Sequence, residues 1–241
     1  MGSPAGTLKV SRRPGGDPEI FYSLQGEGPS LGTPSVFLRL ALCNLICTWC
    51  DTKYTWDWRN HDYRQEVVEL SREDVMDAVQ GHGCRRLVVT GGEPLVQQKA
   101  LAPLVDSLKG RGFSFEVETN GTLAPLEPLV RSVDQWNVSP KLGSSGNSPR
   151  RRDVAPAMAA FAGLPTAFFK FVVVDRQDVD EVESLVCAYG IRRNRVLLMP
   201  EGTSKGELQG RSGWLSELCV ERGFRFTTRL HILLWGDERG R

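Results

Sequence analysis

Short apolar runs alternate along the chain with longer stretches in which apolar residues recur every three or four positions. The short runs are rich in β-branched and aromatic residues and have the length of buried strands; they cover residues 36–41, 86–90, 113–117, 135–138, 168–174 and 195–199. The longer stretches predict helices that bury one face; the first follows a capping box at Ser71, and the others cover 97–109, 178–189 and 206–222.

Strands that alternate with helices favour βαβ units and a mostly parallel sheet, here an α/β fold with an open or partial barrel. Residues 49–70 are polar and poorly periodic, which predicts an irregular cap, and 143–152 predict a flexible basic loop. Residues 225–235 add either an edge strand or a cover. We therefore expect a flexible N-terminal tail over 1–18 and a single domain over 19–241.

Polar, irregular motifs follow five of the predicted strands. They lie at 43–50, 91–94, 118–121, 139–141 and 200–202. The carboxyl ends of parallel strands meet at one edge of the sheet, and ligands bind at that edge. The sequence therefore predicts one functional site built from all five motifs.

The composition excludes several classes of protein. Of 241 residues, 40% are hydrophobic, and 30 Lys+Arg against 29 Asp+Glu give a net charge of +1. A sizeable core can form, and near-zero charge removes the main attraction to nucleic acids and anionic membranes. No apolar run of about 18 residues and no signal peptide is visible, so we expect a cytoplasmic protein without nucleic-acid or membrane partners.

Three of the six cysteines, Cys43, Cys47 and Cys50, lie close together in sequence. Clustered thiolates favour zinc or iron–sulfur clusters. A structural zinc site needs four ligands, and His61 is the only nearby candidate for the fourth. Three thiolates suit a [4Fe–4S] cluster with one iron open to a cosubstrate. A zinc-binding scaffold and three buried structural cysteines stay as alternatives.

The isolated cysteines give no such pattern. They are expected to be small buried hydrophobes, and they are Cys84, Cys187 and Cys219.

These motifs resemble a known superfamily. Cys-x3-Cys-x2-Cys with Trp49 before the last cysteine is similar to the signature of radical S-adenosylmethionine (SAM) enzymes, and Thr-Gly-Gly-Glu-Pro at 90–94 resembles their loop for the SAM amino group. A closer resemblance is to the 7-carboxy-7-deazaguanine synthase family, through 19–28, Arg39, Cys50-Asp-Thr, 136–141 and Arg229-Leu-His231. One departure is Leu42, since that family usually has glycine there.

The resemblance implies a partial (β/α)6-type TIM-like barrel of the radical SAM type, with modified helices and an irregular cap. It implies that Cys43, Cys47 and Cys50 hold a [4Fe–4S] cluster and are catalytic in SAM cleavage. The residues that it implies for SAM binding are Trp49, Asp51, Gly91, Gly92, Glu93, Ser139, Pro140, Lys141, Met199, Pro200, Glu201 and Gly202.

The resemblance also implies a substrate site and a magnesium ligand, Thr52. The implied substrate residues are Leu24, Gln25, Gly26, Glu27, Arg39, Thr90 and His231. Arg39 has independent support, because an unpaired charge inside an apolar strand is costly and needs a partner.

The implied reaction is a radical SAM lyase reaction. An adenosyl radical removes hydrogen from 6-carboxy-5,6,7,8-tetrahydropterin, the ring contracts, ammonia leaves, and 7-carboxy-7-deazaguanine forms, a precursor of queuosine and other 7-deazapurines. The resemblance also implies Mg²⁺, a homodimer and an unidentified electron donor. A radical SAM activase that forms a glycyl radical on a partner protein is the nearest alternative, because it shares the cysteine and glycine motifs.

Overall fold

The computed structural model describes residues 6–241, and within that range ten strands form one sheet. The strands are β1 (Thr7–Ser11), β2 (Ile20–Leu24), β3 (Pro34–Leu40), β4 (Val67–Ser71), β5 (Arg86–Gly91), β6 (Ser114–Thr119), β7 (Gln135–Val138), β8 (Ala167–Val173), β9 (Val196–Pro200) and β10 (Arg225–Phe226).

Helices connect most of these strands, and α2 and α8 each begin with a capping box in which a serine and an acidic side chain satisfy free backbone N–H groups. The helices are α1 (Tyr63–Glu66), α2 (Arg72–Gly81), α3 (Gln98–Lys109), α4 (Glu127–Ser132), α5 (Pro149–Arg152), α6 (Ala155–Ala162), α7 (Arg176–Tyr189), α8 (Lys205–Arg222) and α9 (Leu230–Trp235). Within the described range, none of them is both long enough and apolar enough to cross a membrane.

The strand order is β10-β9-β8-β7-β6-β5-β3-β1-β4, and β2 also pairs with β3, along the same edge as β1 and opposite β5. The pairs from β3 through β10 are parallel, whereas β1, β2 and β4 pair antiparallel. The parallel part contains the six strands and four long helices that the sequence predicts. The predicted α/β partial barrel is confirmed.

The two faces of the parallel strands differ in character because successive side chains point to opposite sides. One face is apolar and packs with the helices; Leu38, Val89 and Phe115 belong to it. The alternate positions carry polar and charged side chains, together with a small apolar group of Phe21, Phe37 and Val88. The polar members are Arg39, Thr90, Glu116, Glu118, Asn137 and Lys170. The polar face is therefore the one that can bind a ligand.

Two expectations are corrected. The tail over 1–18 is not flexible at Thr7–Ser11, because this strand pairs with β4 and with β3 and buries Leu8 and Val10; residues 1–5 lie outside the described part. Residues 143–152 form a short 3-10 turn and α5, and Arg152 pairs with Glu181. Residues 225–235 supply both an edge strand and a covering helix.

Candidate functional site

Two adjoining cavities open among the polar ends of the parallel strands. The first, of about 160 Å³, is lined by the three clustered cysteines and by the ends of β5, β6, β7 and β9; we call it the cysteine cavity. The second, of about 350 Å³, is lined by Arg39 and by residues near both ends of the chain; we call it the arginine cavity. Their shared walls are Glu27, Asp51, Thr52, Thr90, Gly91, Glu118 and Arg229.

Each clustered cysteine sulfur accepts a hydrogen bond. The backbone N–H of Leu45 donates to Cys43 at 3.4 Å, the Asn147 amide donates to Cys47 at 3.2 Å, and the Trp56 indole donates to Cys50 at 3.3 Å. Burial raises the pKa of Cys43 to about 12. A bound cation such as iron would hold this thiol deprotonated.

The segment after β3 that carries the three cysteines, residues 42–50, is called the cysteine loop, and it packs directly against the turn after β5. Leu42 adopts a left-handed backbone with φ of 74°, a conformation in which glycine is favoured. The N–H groups of Gly92 and Glu93 donate to the carbonyls of Leu40 and Leu42 at 2.9 and 2.8 Å. A Cβ atom at Gly91 or Gly92 would overlap that backbone. The glycines are therefore required first for this close packing, which brings two predicted cofactor loops together.

Glu93, predicted to bind SAM, is not among the residues that line either cavity. Its side chain is fully buried and accepts hydrogen bonds from the Leu95 N–H, the Thr119 hydroxyl and the Asn120 N–H. Burial raises the pKa of Glu93. Its role is to fix the turn after β5 against the end of β6, whose Thr119 and Asn120 do line the cysteine cavity.

Most other residues predicted to bind SAM do line the cysteine cavity. Lys141 donates to the Ser139 hydroxyl and carbonyl, each at 2.9 Å, and lies 5.8 Å from the Trp49 ring centre. Pro140 and Pro200 lie outside the wall. The residues that line it are Trp49, Asp51, Gly91, Gly92, Ser139, Lys141, Met199, Glu201 and Gly202.

A network of charges, buried except at Asp51, forms the boundary between the two cavities. Glu27 pairs with Lys170 and, at 3.0 Å, with Arg229, which also pairs with Asp51 and donates to the Gly202 carbonyl at 2.6 Å. Burial alone would raise the pKa of Glu27, but the charges of Lys170 and Arg229 hold it well below its usual range. The boundary therefore contains an ionised carboxylate that two cations fix in place.

Arg39 lies in the arginine cavity with its Nε donating to Glu19 at 2.8 Å. Glu19 is fully buried and also accepts from Tyr54 at 3.1 Å and from Arg239 at 3.3 Å. Burial opposes the charged form of Arg39, but Tyr54 and Glu19 outweigh it and keep its pKa above the ordinary value. The cavity therefore contains a guanidinium that stays charged, with its orientation fixed by a buried acid.

The other predicted substrate residues surround Arg39. Gln25 is buried and donates to Glu118 at 3.2 Å, and Thr90 donates to the same carboxylate at 2.8 Å. Burial is the main reason why the pKa of His231 is lowered, so its imidazole is neutral at pH 7. The predicted substrate residues that line this cavity are Leu24, Gln25, Gly26, Glu27, Arg39, Thr90 and His231.

The segment after α9 closes the arginine cavity on one side. Arg239 donates to Glu19 at 3.3 Å and to Glu66 at 2.9 Å, and its guanidinium lies 3.3 Å from the centre of the Tyr54 ring. Asp237, whose pKa burial raises, lines the same cavity. Arg239 thus holds this wall to the residue before β2 and to the cap, and its positive charge lies next to the carboxylate of Glu19.

Several of these residues received no role in the sequence analysis. Lys170 could have been found, because it is a single charge within the apolar run of β8, as Arg39 is within β3. Glu118 alternates with Phe115 and Val117 and could have been found in the same way. Arg239 follows no motif, and only the folded chain brings it to Glu19.

The isolated cysteines do not share one environment. Cys219 is buried as expected, Cys84 is partly buried, and Cys187 is exposed, which contradicts the prediction for that residue. Cys187 lies on the outer face of α7, where helical spacing did not require an apolar residue.

The donor set fits an iron–sulfur cluster. The three cysteines line one cavity, each with an N–H donor on its sulfur, and Asn, Ser and Lys side chains continue the wall beyond them. Three thiolates suit a cluster, and the polar side chains beside them suit contacts with a polar cosubstrate.

Comparison with known proteins agrees with this geometry. Residues 40–155 match the model of the Radical SAM superfamily. The chain is 46% identical to 7-carboxy-7-deazaguanine synthase of Pyrobaculum aerophilum, covering 92% of this chain and 96% of that one, and 38% identical to the Halobacterium salinarum enzyme, covering 91% and 90%. It superposes on the crystal structure of QueE from Escherichia coli with a TM-score of 0.69 and 26% identity, covering 93% and 95%.

These relatives favour the synthase over the activase and over the zinc scaffold, because they match the chain through both cavities. Membership of the superfamily implies a [4Fe–4S] cluster and SAM as cofactors. The chain belongs to the 7-carboxy-7-deazaguanine synthase family of radical SAM enzymes.

Proposed function

We propose that this protein converts 6-carboxy-5,6,7,8-tetrahydropterin into 7-carboxy-7-deazaguanine with loss of ammonia, in the synthesis of a deazapurine such as queuosine. The observation that carries the proposal is the position of Arg39. This residue is a fixed cation in a cavity that shares a wall with the cysteine cavity. A carboxylated substrate bound there lies beside the cofactors that react with it.

When bound, the cluster and SAM supply a 5′-deoxyadenosyl radical that abstracts a hydrogen atom. Cys43, Cys47 and Cys50 hold the cluster. Lys141 and Ser139 bind the polar groups of SAM, because a buried carboxylate needs a cation and hydrogen-bond donors. Met199–Gly202 bracket the nucleoside from the end of β9.

The arginine cavity orients the substrate. The Nε–H of Arg39 donates a hydrogen bond to Glu19. The two terminal nitrogens of Arg39 are therefore the ones that bind the planar substrate carboxylate. Gln25, Thr90 and Glu118 offer amide, hydroxyl and carboxylate groups to the polar edge of the pterin. The neutral imidazole of His231 has one nitrogen that donates a hydrogen bond and one that accepts, so it can bind the pterin without adding a charge.

The charged boundary keeps the walls of the two cavities in fixed positions. Glu27, Lys170 and Arg229 are fixed by one another, so they separate the cavities without needing to rearrange during reaction. Buried side chains on this wall also keep water away from a reactive radical.

We further propose that Thr52 is a ligand of Mg²⁺. Its hydroxyl lies 3.6 Å from the Cys50 sulfur, and the residue lines both cavities. Magnesium keeps waters and takes oxygen ligands from bound substrate, so one protein hydroxyl is a sufficient anchor. A Thr52→Val variant is expected to lose the Mg²⁺ dependence of substrate binding; an unchanged dependence would exclude this role.

We also propose that the protein is a cytoplasmic homodimer that receives electrons from an unidentified electron donor. The dimer is proposed from the family resemblance, and light scattering of the purified protein tests it. A mass of one chain, 26.8 kDa, at micromolar concentration would exclude the dimer.

Product formation tests the main proposal. The protein is reconstituted anaerobically with iron and sulfide, then incubated with the carboxytetrahydropterin, SAM, Mg²⁺ and a reductant. We expect 7-carboxy-7-deazaguanine by mass spectrometry, and about 100-fold less of it from Arg39→Gln at a substrate concentration below the wild-type KM. A fully loaded wild-type cluster that cleaves SAM but yields no deazapurine would show that the substrate is wrong.

A further inference from the structure

Residues 143–147, which we call the clasp, hold the cysteine loop on both sides of Cys47. The backbone N–H of Thr48 donates to the Ser145 carbonyl at 3.0 Å, and the N–H of Ile46 donates to the Asn147 side-chain oxygen at 3.0 Å. The clasp therefore fixes the two neighbours of one cluster ligand.

Asn147 also contacts that ligand directly. Its side-chain amide donates to the Cys47 sulfur at 3.2 Å and to the Ser145 hydroxyl at 3.3 Å, and the residue is 5% exposed. One amide group thus holds the loop through its oxygen and the sulfur through its nitrogen. These are separate contacts, so a substitution can remove one and keep the other.

The clasp itself is fixed to α7. The N–H of Gly143 donates to Glu181 at 2.8 Å, and Arg152 pairs with the same carboxylate. Gly146 has φ of 76°, and a Cβ atom there would lie 2.8 Å from the Thr48 methyl carbon. The Asn147 amide is therefore held in place before any cofactor binds.

We propose that Asn147 is a positioning residue that sets how easily the cluster is reduced. The proposal rests on the cluster of the proposed function. Uptake of one electron from the donor makes the cluster and its thiolate sulfurs more negative, with no bond formed or broken in that step. An N–H donor on a sulfur stabilises the more negative form and so raises the reduction potential.

The position of Asn147 in the sequence makes it a distinct element of this site. The donor to Cys43 is a backbone group two residues away, and the donor to Cys50 is Trp56 in the same loop. Asn147 lies 100 residues from Cys47 and comes from a different unit of the barrel. The sulfur of Cys47 is therefore the one whose hydrogen-bond donor comes from a distant part of the chain.

The test is a redox titration of the whole reconstituted protein, followed by electron paramagnetic resonance. Asn147→Asp keeps an oxygen for the Ile46 N–H but replaces the donor by an acceptor, and Asn147→Ala removes both contacts. At the wild-type midpoint we expect the ratio of reduced to oxidised cluster to fall about threefold in the alanine variant and about tenfold in the aspartate variant, a tenfold change being about 59 mV for one electron. Iron and sulfide per chain are measured for each.

Thr48→Val is the matched control. Thr48 belongs to the same contact, since its hydroxyl approaches the Ser145 carbonyl at 3.4 Å, but it does not bond to a sulfur. We expect its midpoint to equal that of the wild type. An equal shift in the control, or unchanged potentials in both Asn147 variants, would overturn the inference.

A measurement on the wild type covers the case in which a variant fails to hold the cluster. Protein with ¹⁵N-labelled asparagine side chains is reduced and studied by pulsed magnetic resonance. We expect a nitrogen coupling to the cluster, and its absence would overturn the inference. A wild type that binds no cluster at all would instead refute the proposed function, so the two failures are distinguishable.

Discussion

The cysteine cavity and the arginine cavity share a wall but are built in different ways. The cysteine cavity is formed by short loops that each follow one parallel strand, and its central motif spans residues 43–50. The arginine cavity joins segments from opposite ends of the chain: Arg229 and Glu27 are 202 positions apart, and Arg239 and Glu19 are 220 apart. The three cysteines that hold the cluster are therefore local in sequence, whereas the walls of the arginine cavity depend on long-range contacts.

The largest expected effect comes from Arg39→Gln, which should impair substrate binding in the arginine cavity and leave the cysteine cavity intact. Losing a charged partner for the substrate carboxylate costs about 3 kcal/mol, so we expect the substrate KM to rise about 100-fold. Iron content and slow SAM cleavage without substrate should stay at wild-type levels. The control is Arg85→Gln, an exposed arginine before β5. A loss of cluster in Arg39→Gln would show that the cavities are not separable.

Glu27→Gln tests the wall that both cavities share. Lys170 and Arg229 are 6% and 9% exposed in their side chains, so loss of the carboxylate leaves buried cations underpaired. We expect the free energy of unfolding at pH 7 to fall by about 3 kcal/mol. Glu69→Gln, at an exposed carboxylate 3.7 Å from Lys9, should cost about 0.5 kcal/mol or less.

The same variant has a defined pH dependence. The pKa of Glu27 is lowered in the folded chain from an ordinary 4.5, so its stabilising effect is complete above pH 4.5 and is lost as the pH falls below that value. The difference in unfolding free energy between wild type and Glu27→Gln should be constant from pH 7 to 5 and narrow only under more acidic conditions. Urea unfolding of the apoprotein, followed by circular dichroism, measures it; narrowing already above pH 5 would contradict this assignment.

Arg239→Gln probes only the distant wall of the arginine cavity. Because Arg239 contacts Glu19, which in turn fixes Arg39, we expect a smaller effect, about 1 kcal/mol or about fivefold in KM, with kcat and iron content unchanged. Arg59→Gln, an exposed arginine in the cap, is the control. An unchanged KM in Arg239→Gln would mean that Glu19 and Tyr54 hold Arg39 without it.

The backbone conformation of Leu42, at the start of the cysteine loop, should have a small effect on the stability of the protein. Its φ of 74° costs about 1 kcal/mol for a residue with a Cβ atom, so Leu42→Gly should be about 1 kcal/mol more stable than Leu42→Ala. Both variants remove the leucine side chain, so their difference isolates the backbone. Equal melting temperatures of the two variants would contradict a left-handed residue at this position.

The features that could be predicted from the sequence are those encoded by neighbouring residues, and those that could not depend on long-range contacts. The six predicted strands, the helix after Ser71 and the cysteine loop are encoded by periodicity and spacing within short windows. Strand β1 was missed because Thr7–Ser11 is short, and its pairing with β4 depends on residues some sixty positions away. A pattern confined to neighbouring residues carries no information on such pairing.

Side-chain roles were harder to predict than positions. Glu93 lies in the motif that the resemblance identified, but only the folded chain shows that its carboxylate accepts hydrogen bonds from Thr119 and Asn120 at the end of β6. Leu42 was recognised as a departure from the family pattern, whereas its positive φ required the structure. Lys170 was accessible from the sequence, because one charge in an apolar strand needs a buried partner.

The long separation between Glu27 and Arg229 has a consequence for how the protein is made. Ribosomes release the cysteine loop and the glycine turn long before residue 229, so these parts can pack while the charged wall still lacks one of its cations. Closing a loop of 202 residues costs about 5 kcal/mol of chain entropy, which favours late formation of this contact. Folding order thus places the iron-binding elements first and completes the specificity of the enzyme last.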